Sequence, residues 1–244
     1  MLQNDLTQRV SGLNEWYRLH SAFAVLEHGL KSTAAGKLAL LSSFDAESIV
    51  LLHMISVTKR DTPVIFVDTE LLFAETMVYQ QDLAERLGLS DVRVIRASET
   101  DLNAQDPDKT LHQRDTNACC NLRKTVPLQK ALEGFDGWIT GRKRFHGGDR
   151  AGLDFFETEA GTGRMKVNPL AHWAPEDVKT YMEENRLPRH PLVTKGYPSI
   201  GCMPCTSPVN EGEDIRAGRW RGEEKSECGI HFAGGKIMQT GVNA

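Results

Sequence analysis

No stretch of this chain stays apolar for long. The longest such run, Ile49 to Val57, is interrupted by His53 and Ser56 and falls far short of the roughly 20 residues a bilayer-spanning helix needs. A membrane protein is not expected. The opening residues MLQNDLTQRV carry an acid early and lack the basic start and apolar centre of a secretory leader, so the expected location is cytoplasmic. A large excess of either charge is also lacking: the net charge is −4, which gives a long polyanion no overall attraction and argues against nucleic acid as a partner. Cysteine is sparse and odd in number, with five in 244 residues. Complete internal pairing is therefore impossible, and a reducing cytosol disfavours disulfides in any case. Internal repeats, a Walker loop and the dinucleotide glycine fingerprint are missing too.

What is present describes a folded chain. With 40% hydrophobic and 25% charged residues the composition is that of a globular protein, and the length suits one α/β domain better than two small ones. Leu13 to Leu30 has apolar residues at helical spacing and reads as an opening helix. KLALLSSF (Lys37 to Phe44) then reads as a buried strand and turn, and Ala46 to Lys59 as a helix. PVIFVDT (Pro63 to Thr69), a helix over Ala74 to Gly88 and DVRVIRA (Asp91 to Ala97) repeat the step. NLRKTVPLQKALEG reads as a helix interrupted near Pro127, GWITG (Gly137 to Gly141) as a strand, and Ala174 to Leu187 as a helix. Alternation of this kind predicts an α/β fold with a mainly parallel sheet flanked by helices on both faces. Ligands in such sheets bind beyond the carboxyl ends of the strands, where SSFDAES, DTELL and GRKRFHGGDR fall.

Five prolines between Pro188 and Pro208 make the next region loop-rich, needing something other than hydrogen-bond ladders to hold it. From Gly212 onward the chain is polar and glycine-containing, and mobility is expected. Cys202-Met203-Pro204-Cys205 has the spacing of a metal knuckle, though a redox dithiol fits as well. Adding the adjacent pair Cys119 and Cys120 completes four ligands, enough for one zinc ion or one iron–sulfur cubane. Neighbouring side chains diverge in regular structure, so both reach one centre only if the backbone bends or the acceptor is wide, which favours the cluster. Inert buried thiols remain the alternative for Cys119 and Cys120. Cys228, in KSECGIH, is left over as either a nucleophile or an incidental thiol. Ser42 and Ser43 offer an anion cradle or a plain helix cap; Asp68 could accept from a ribose or cap a turn. The basic runs Gly141 to Arg150 and Arg216 to Arg221 fit a small multiply charged anion or a solvated surface.

Taken together and in order, ACCNLRKTVPLQKAL, GWITGRKR, KVNPLAHW, GYPSIGCMPCTSPVNEGEDIRAGRW and ECGIH closely resemble the assimilatory adenylyl-sulfate reductases, which form one family with the 3′-phosphoadenylyl-sulfate reductases. The resemblance implies an adenine-nucleotide α-hydrolase-like fold and reduction of adenosine 5′-phosphosulfate to sulfite and AMP. It further implies a [4Fe–4S] cluster on Cys119, Cys120, Cys202 and Cys205, thioredoxin or a glutaredoxin-like protein as donor, and Cys228 as the nucleophile that carries an S-sulfo intermediate. Lys124 matches a lysine between cluster and substrate. Arg150, Arg216, Arg219 and His231 match positions around sulfate and phosphate, and Arg142 and Arg144 fall in the matching GRKR block. Ser42 and Ser43 match a modified phosphate loop; Asp68 and Thr69 match the nucleotide pocket.

The implied organisation is a nucleotide-binding domain with the iron–sulfur site over residues 1–211 and a flexible tail over 212–244 carrying the catalytic cysteine; a homo-oligomer is compatible with it. Three departures stand out: Asp45 where relatives have Gly, Glu70 and Ala74 in place of Gly and Pro in the DTG…PET pattern, and His146 where many have Gln. Relatives confined to the 3′-phosphorylated substrate usually lack the four cluster cysteines, so the simpler nucleotide is expected. An ATP-using ligase on the same fold would carry both glycines of SGGxDS, which SSFDAES lacks. A zinc-stabilised, non-enzymatic nucleotide-binding module is the remaining alternative.

Overall fold

The structure is a computed structural model that describes residues 2–159, 161–225, 227 and 229. Its elements are α1 (Leu2–Tyr17), α2 (Ala22–Lys31), β1 (Leu38–Leu41), α3 (Ser48–Thr58), β2 (Val64–Val67), α4 (Ala74–Arg86) and β3 (Val92–Ile95). There follow α5 (Glu99–Gln105), α6 (Leu111–Arg114), α7 (Thr116–Cys120), a π-helical turn over Asn121–Thr125, and α8 (Val126–Ala131). The remainder comprises β4 (Gly137–Ile139), β5 (Phe156–Thr158), β6 (Met165–Val167), α9 (Pro175–Glu184) and short 3₁₀ turns.

Side chains alternate across each strand, and this sorts the apolar residues into two cores. Leu38 and Leu40 of β1, Val64 and Phe66 of β2 and Ile139 of β4 join the larger core with α2, α3, α4 and α9. Ala39, Ile65 and Trp138 point the other way and pack with Leu128 of α8 and with Leu132 and Phe135 beyond it. Helices therefore cover both faces, as expected. Helix α3 is buried along nearly its whole length, from Ile49 to Ser56, and its all-round apolar sequence matches that position.

The six strands lie in the order β3-β2-β1-β4-β6-β5, all neighbours parallel except β5 against β6. The chain moves outward from β1 through β2 to β3 and then returns to β4 on the far side of β1. That reversal opens a crevice at the carboxyl ends of β1 and β4, the usual ligand position in such sheets.

Two local expectations change, and one strand had none. The window Leu13 to Leu30 spans two helices, because Ser21 caps α2 by accepting from the Ala24 amide. Near Pro127 the helical path is not broken: a π turn over Asn121–Thr125 carries it into α8, where Pro127 sits at the start. Proline lacks an N–H that an unbroken helix would use, and the wider π turn directly before it is the local adjustment that accompanies this loss; the same turn places Lys124 one residue before the junction. Strand β5 had no reading at all; it is three residues long and at the sheet edge. No described helix is long and apolar enough to cross a membrane.

Candidate active site

Two adjoining pockets share a wall of Lys124, Arg219 and Trp220. The larger one opens at the carboxyl ends of β1 and β4 and is lined by the β1–α3 loop, by Thr140 to Lys143, and by residues from the 198–227 region. Its β1–α3 loop is tight. Buried Phe44 takes a positive φ of 49°, costly for a bulky residue, and is held by edge-to-face packing on Phe66 and by the Ser42 hydroxyl, which accepts from its amide at 3.2 Å. Asp45 accepts from the Ser48 hydroxyl at 2.6 Å and the Ser48 amide at 3.1 Å, so this carboxylate caps the start of α3 from within.

Cations dominate the larger pocket, and several are already engaged. Arg142 pairs with Glu157, and Lys143 donates to Glu47 at 2.7 Å and to the Gly141 carbonyl at 3.0 Å. Burial would raise the Glu47 pKa, but its hydrogen bond from His146 and the charge of Lys143 outweigh that and bring it to about 2. Burial lowers the pKa of His146, against the pull of Glu47. Arg219 lies over the Trp220 ring, its guanidinium carbon 4.5 Å from the centroid, donates to the Ile200 carbonyl at 3.3 Å and keeps a buried Nε with no partner among the described residues. Gly201 makes this possible, since a Cβ there would stand 2.2 Å from Arg219 Nη2.

Replacing Glu47 with Gln tests the anionic half of this lattice. A depressed carboxylate stabilises the fold in full above its ordinary 4.5 and loses that contribution as pH falls towards about 2. Denaturant melts of Glu47→Gln should lose about 1–3 kcal/mol at neutral pH, with the gap to the parent closing as pH drops below 4.5.

The smaller pocket is lined by Cys119, Cys120, Cys202 and Cys205, all free thiols. The knuckle is tied to the strand β2 side by an antiparallel bridge between Leu72 and Cys202 and by the Met203 amide donating to the Leu71 carbonyl at 2.8 Å. Opposite it, buried Arg123 donates to Asp106 at 2.7 Å and to the Thr69 carbonyl at 2.9 Å, fixing the end of α7 against the same loop. Burial pushes the Cys119 thiol up to about 12 and Cys205 to about 11, with neighbouring cysteines adding to both. Cys202 moves the other way: burial opposes ionisation, but Lys124, the Thr69 hydroxyl at 3.2 Å and Arg219 prevail. Among the described residues no three His, Cys, Asp or Glu side chains gather as ligands of a single ion.

Residues 37–208 match the model of the phosphoadenosine phosphosulfate reductase domain. The chain belongs to that family. An adenosine 5′-phosphosulfate reductase of Mesorhizobium japonicum is 44% identical, covering 95% of this chain and 91% of that protein. Adenosine 5′-phosphosulfate reductase 1 of Bacillus subtilis is 40% identical over 80% of this chain and 84% of its own length. Among solved structures, the phosphoadenylyl-sulfate reductase of Candida auris in its phosphate complex superposes with a TM-score of 0.69 at 28% identity, covering 83% of this chain and 97% of that one. The FMN adenylyltransferase of Candida glabrata, at 14% identity and a TM-score of 0.55, shares the fold alone.

Of the residues singled out from the sequence, Ser42, Ser43, Lys124, Arg142, Arg150, Arg216 and Arg219 line the larger pocket. Asp68, Thr69 and Arg144 do not. Asp68 caps its own turn through the Glu70 amide at 2.8 Å and pairs with Arg96 at 2.7 Å. Thr69 faces the thiols, and Arg144 bonds the Leu153 carbonyl and Asp154. Cys228 and His231 lie outside the described residues.

Reasoning from sequence missed Lys143, Glu47, Glu227 and Trp220 as pocket residues. Each sits inside or beside a motif already quoted, but its partner lies across the fold. The segment after Gly212 is stitched to the body by bonds between Ser207 and Gly218, by Arg221 on the Pro208 carbonyl, by the Thr116 hydroxyl on Glu223 and by Lys225 on the Thr116 carbonyl.

Proposed function

We propose that this enzyme reduces adenosine 5′-phosphosulfate to sulfite and AMP, using a dithiol donor of the thioredoxin or glutaredoxin type. The observation that carries the reading is the shared wall: Lys124 and Arg219 border both a cation-lined cleft at the sheet's switch point and a pocket of four thiols. The named relatives support the substrate, since several adenosine 5′-phosphosulfate reductases are 36–47% identical to this chain. Lys124, Arg216 and Arg219 neutralise the phosphosulfate and hold it for attack. The Cys228 thiolate attacks the sulfonyl sulfur; an S–S bond forms, the S–O bond to phosphate breaks, and AMP departs with its charge met by the same cations. A donor thiolate then attacks Cys228 Sγ and sulfite leaves with the bonding pair. The donor's second thiol restores Cys228 and closes the donor disulfide.

Four free thiols on one pocket are the donor types of a [4Fe–4S] cluster, and the adjacent pair Cys119 and Cys120 suits a wide acceptor better than one zinc. Cys119, Cys120, Cys202 and Cys205 would hold it, and when bound it would supply fixed charge beside Lys124 that tunes the cleft. Electrons for the reaction come from thiols.

Intact-mass analysis after incubation with the substrate should show a sulfonate adduct on Cys228. The specificity test compares kcat/KM for adenosine 5′-phosphosulfate and its 3′-phosphorylated form. The former should win by about 100-fold or more, the scale of one unmatched buried phosphate; equal or reversed values would refute the substrate assignment.

A further inference from the structure

A chain of hydrogen bonds crosses the cleft from the start of α3 to the end of the described chain. Glu47 accepts from His146 Nε2 at 3.1 Å. His146 Nδ1 meets Arg150 Nη1 at 2.8 Å, and Arg150 offers its Nε and Nη2 to the two carboxylate oxygens of Glu227, the second at 2.9 Å. Guanidinium nitrogens only donate, so Nδ1 is the acceptor and the ring proton sits on Nε2, facing Glu47. The imidazole is thus a neutral strut between a carboxylate and an arginine.

Arg150 and Glu227 are both buried, and a two-pronged arginine–carboxylate pair in such a place fixes orientation as well as charge. Arg216 also pairs with Glu227, at 3.8 Å, whereas Arg219 keeps a buried Nε with no partner among the described residues. Arg150 is braced from behind and gripped by the tail, whereas the Nε of Arg219 leaves donor capacity for an anion.

We propose that Arg150 is a docking post for the C-terminal segment rather than a substrate ligand, and that Glu227, seated on it, is the positioning residue that sets where Cys228 meets the cleft. The inference rests on Cys228 as nucleophile. Consecutive Cα atoms are about 3.8 Å apart, so anchoring one side chain confines the next residue to a small volume and raises its effective concentration at the cleft. His146 and Glu47 hold the post in orientation.

The test uses the full-length, iron-loaded protein with Glu227→Gln, Glu227→Asp, Arg150→Gln and the Glu227→Gln/Arg150→Gln double variant. Trypsin cleavage after Lys225 reports tail docking without any catalysis. Single-turnover formation of the Cys228 adduct and the KM for adenosine 5′-phosphosulfate report the consequence. Glu227→Gln should cut faster after Lys225 and react roughly 10- to 100-fold more slowly at saturation, with KM changed by less than about threefold. The double variant should be no slower than the worse single one, and Glu227→Asp, which keeps the charge, should recover part of the rate.

Unchanged cleavage in Glu227→Gln would overturn the docking contact. A lowered KM with full rate would overturn positioning and show the carboxylate to be a placeholder that substrate displaces. Should Cys228→Ser retain full turnover, the nucleophile assignment fails, while the cleavage comparison still decides whether Glu227 holds the tail.

Discussion

Cys228→Ser is expected to lower the rate of sulfite release by about 10⁴-fold or more while leaving the affinity for adenosine 5′-phosphosulfate close to that of the parent. Affinity is expected to survive because Lys124, Arg216 and Arg219, the groups proposed to meet the phosphosulfate, line the cleft and all precede Cys228. Rate does not, for two separate reasons. A serine hydroxyl is a far weaker nucleophile than a thiolate at neutral pH. Even a successful attack would give an oxygen-linked sulfate ester, with no S–S bond for a donor thiol to break. The second step therefore fails whatever the fate of the first. Stopped assays of sulfite, together with titration of substrate binding, check both halves; sulfite released at the parent rate would end the mechanism.

Cys202→Ser should have the second largest effect, and on the protein as isolated rather than on a single step. The parent should carry about four iron and four sulfide per chain, and the variant well under half of that. Thermal unfolding should come at clearly lower temperature in the variant, because metal bound only by the native state adds its binding free energy to folding. The reason lies in how little else holds this region. Around the knuckle the regular structure is limited to isolated bridges, Leu72 with Cys202 and Thr206 with Arg219, and a 3₁₀ turn over Met203–Cys205. Thr69 donates to or accepts from Cys202 at 3.2 Å, but a single hydroxyl cannot organise four thiols. Metal analysis and a melting curve decide the matter: zinc in the parent, or unaltered iron in Cys202→Ser, would refute the cluster assignment.

The α/β alternation was legible because each element carries its own period. Helix α3 is apolar all round, β1 and β2 divide their residues cleanly between two faces, and those patterns exist in any seven or eight consecutive residues. Strand β5 was illegible for the opposite reason. Phe156–Thr158 is as short as β4, but its place at the sheet edge depends on antiparallel pairing with β6 through Phe156 and Val167. Helices α1 and α2 merged in the reading because apolar spacing continues across residues 18–21, while the break depends on one hydroxyl, Ser21, finding the Ala24 amide.

At the site, residue types announced themselves but orientations did not. Arg142, Arg150, Arg216 and Arg219 stood out as cations in two runs, and all four line the cleft. Arg144, two residues from Arg142, turns to Asp154 instead. Nothing in GRKR tells these arginines apart, since their directions are set by partners on other elements. For Asp68 the sequence left a ribose contact and a turn cap open; its carboxylate caps its own turn through the Glu70 amide and pairs with Arg96, a residue on the neighbouring strand's exit.

By itself the sequence determined the fold class, the four cysteines that line one pocket and the cationic character of the site, because each depends on residue identity and on spacing within short segments. The tertiary structure alone decided that Glu47, His146, Arg150 and Glu227 form one continuous line across the cleft. Glu47 and Glu227 belong to opposite ends of the chain, and the distance between them is fixed by how the sheet's switch point brings the β1–α3 loop, the loops after β4 and the C-terminal segment to the same edge.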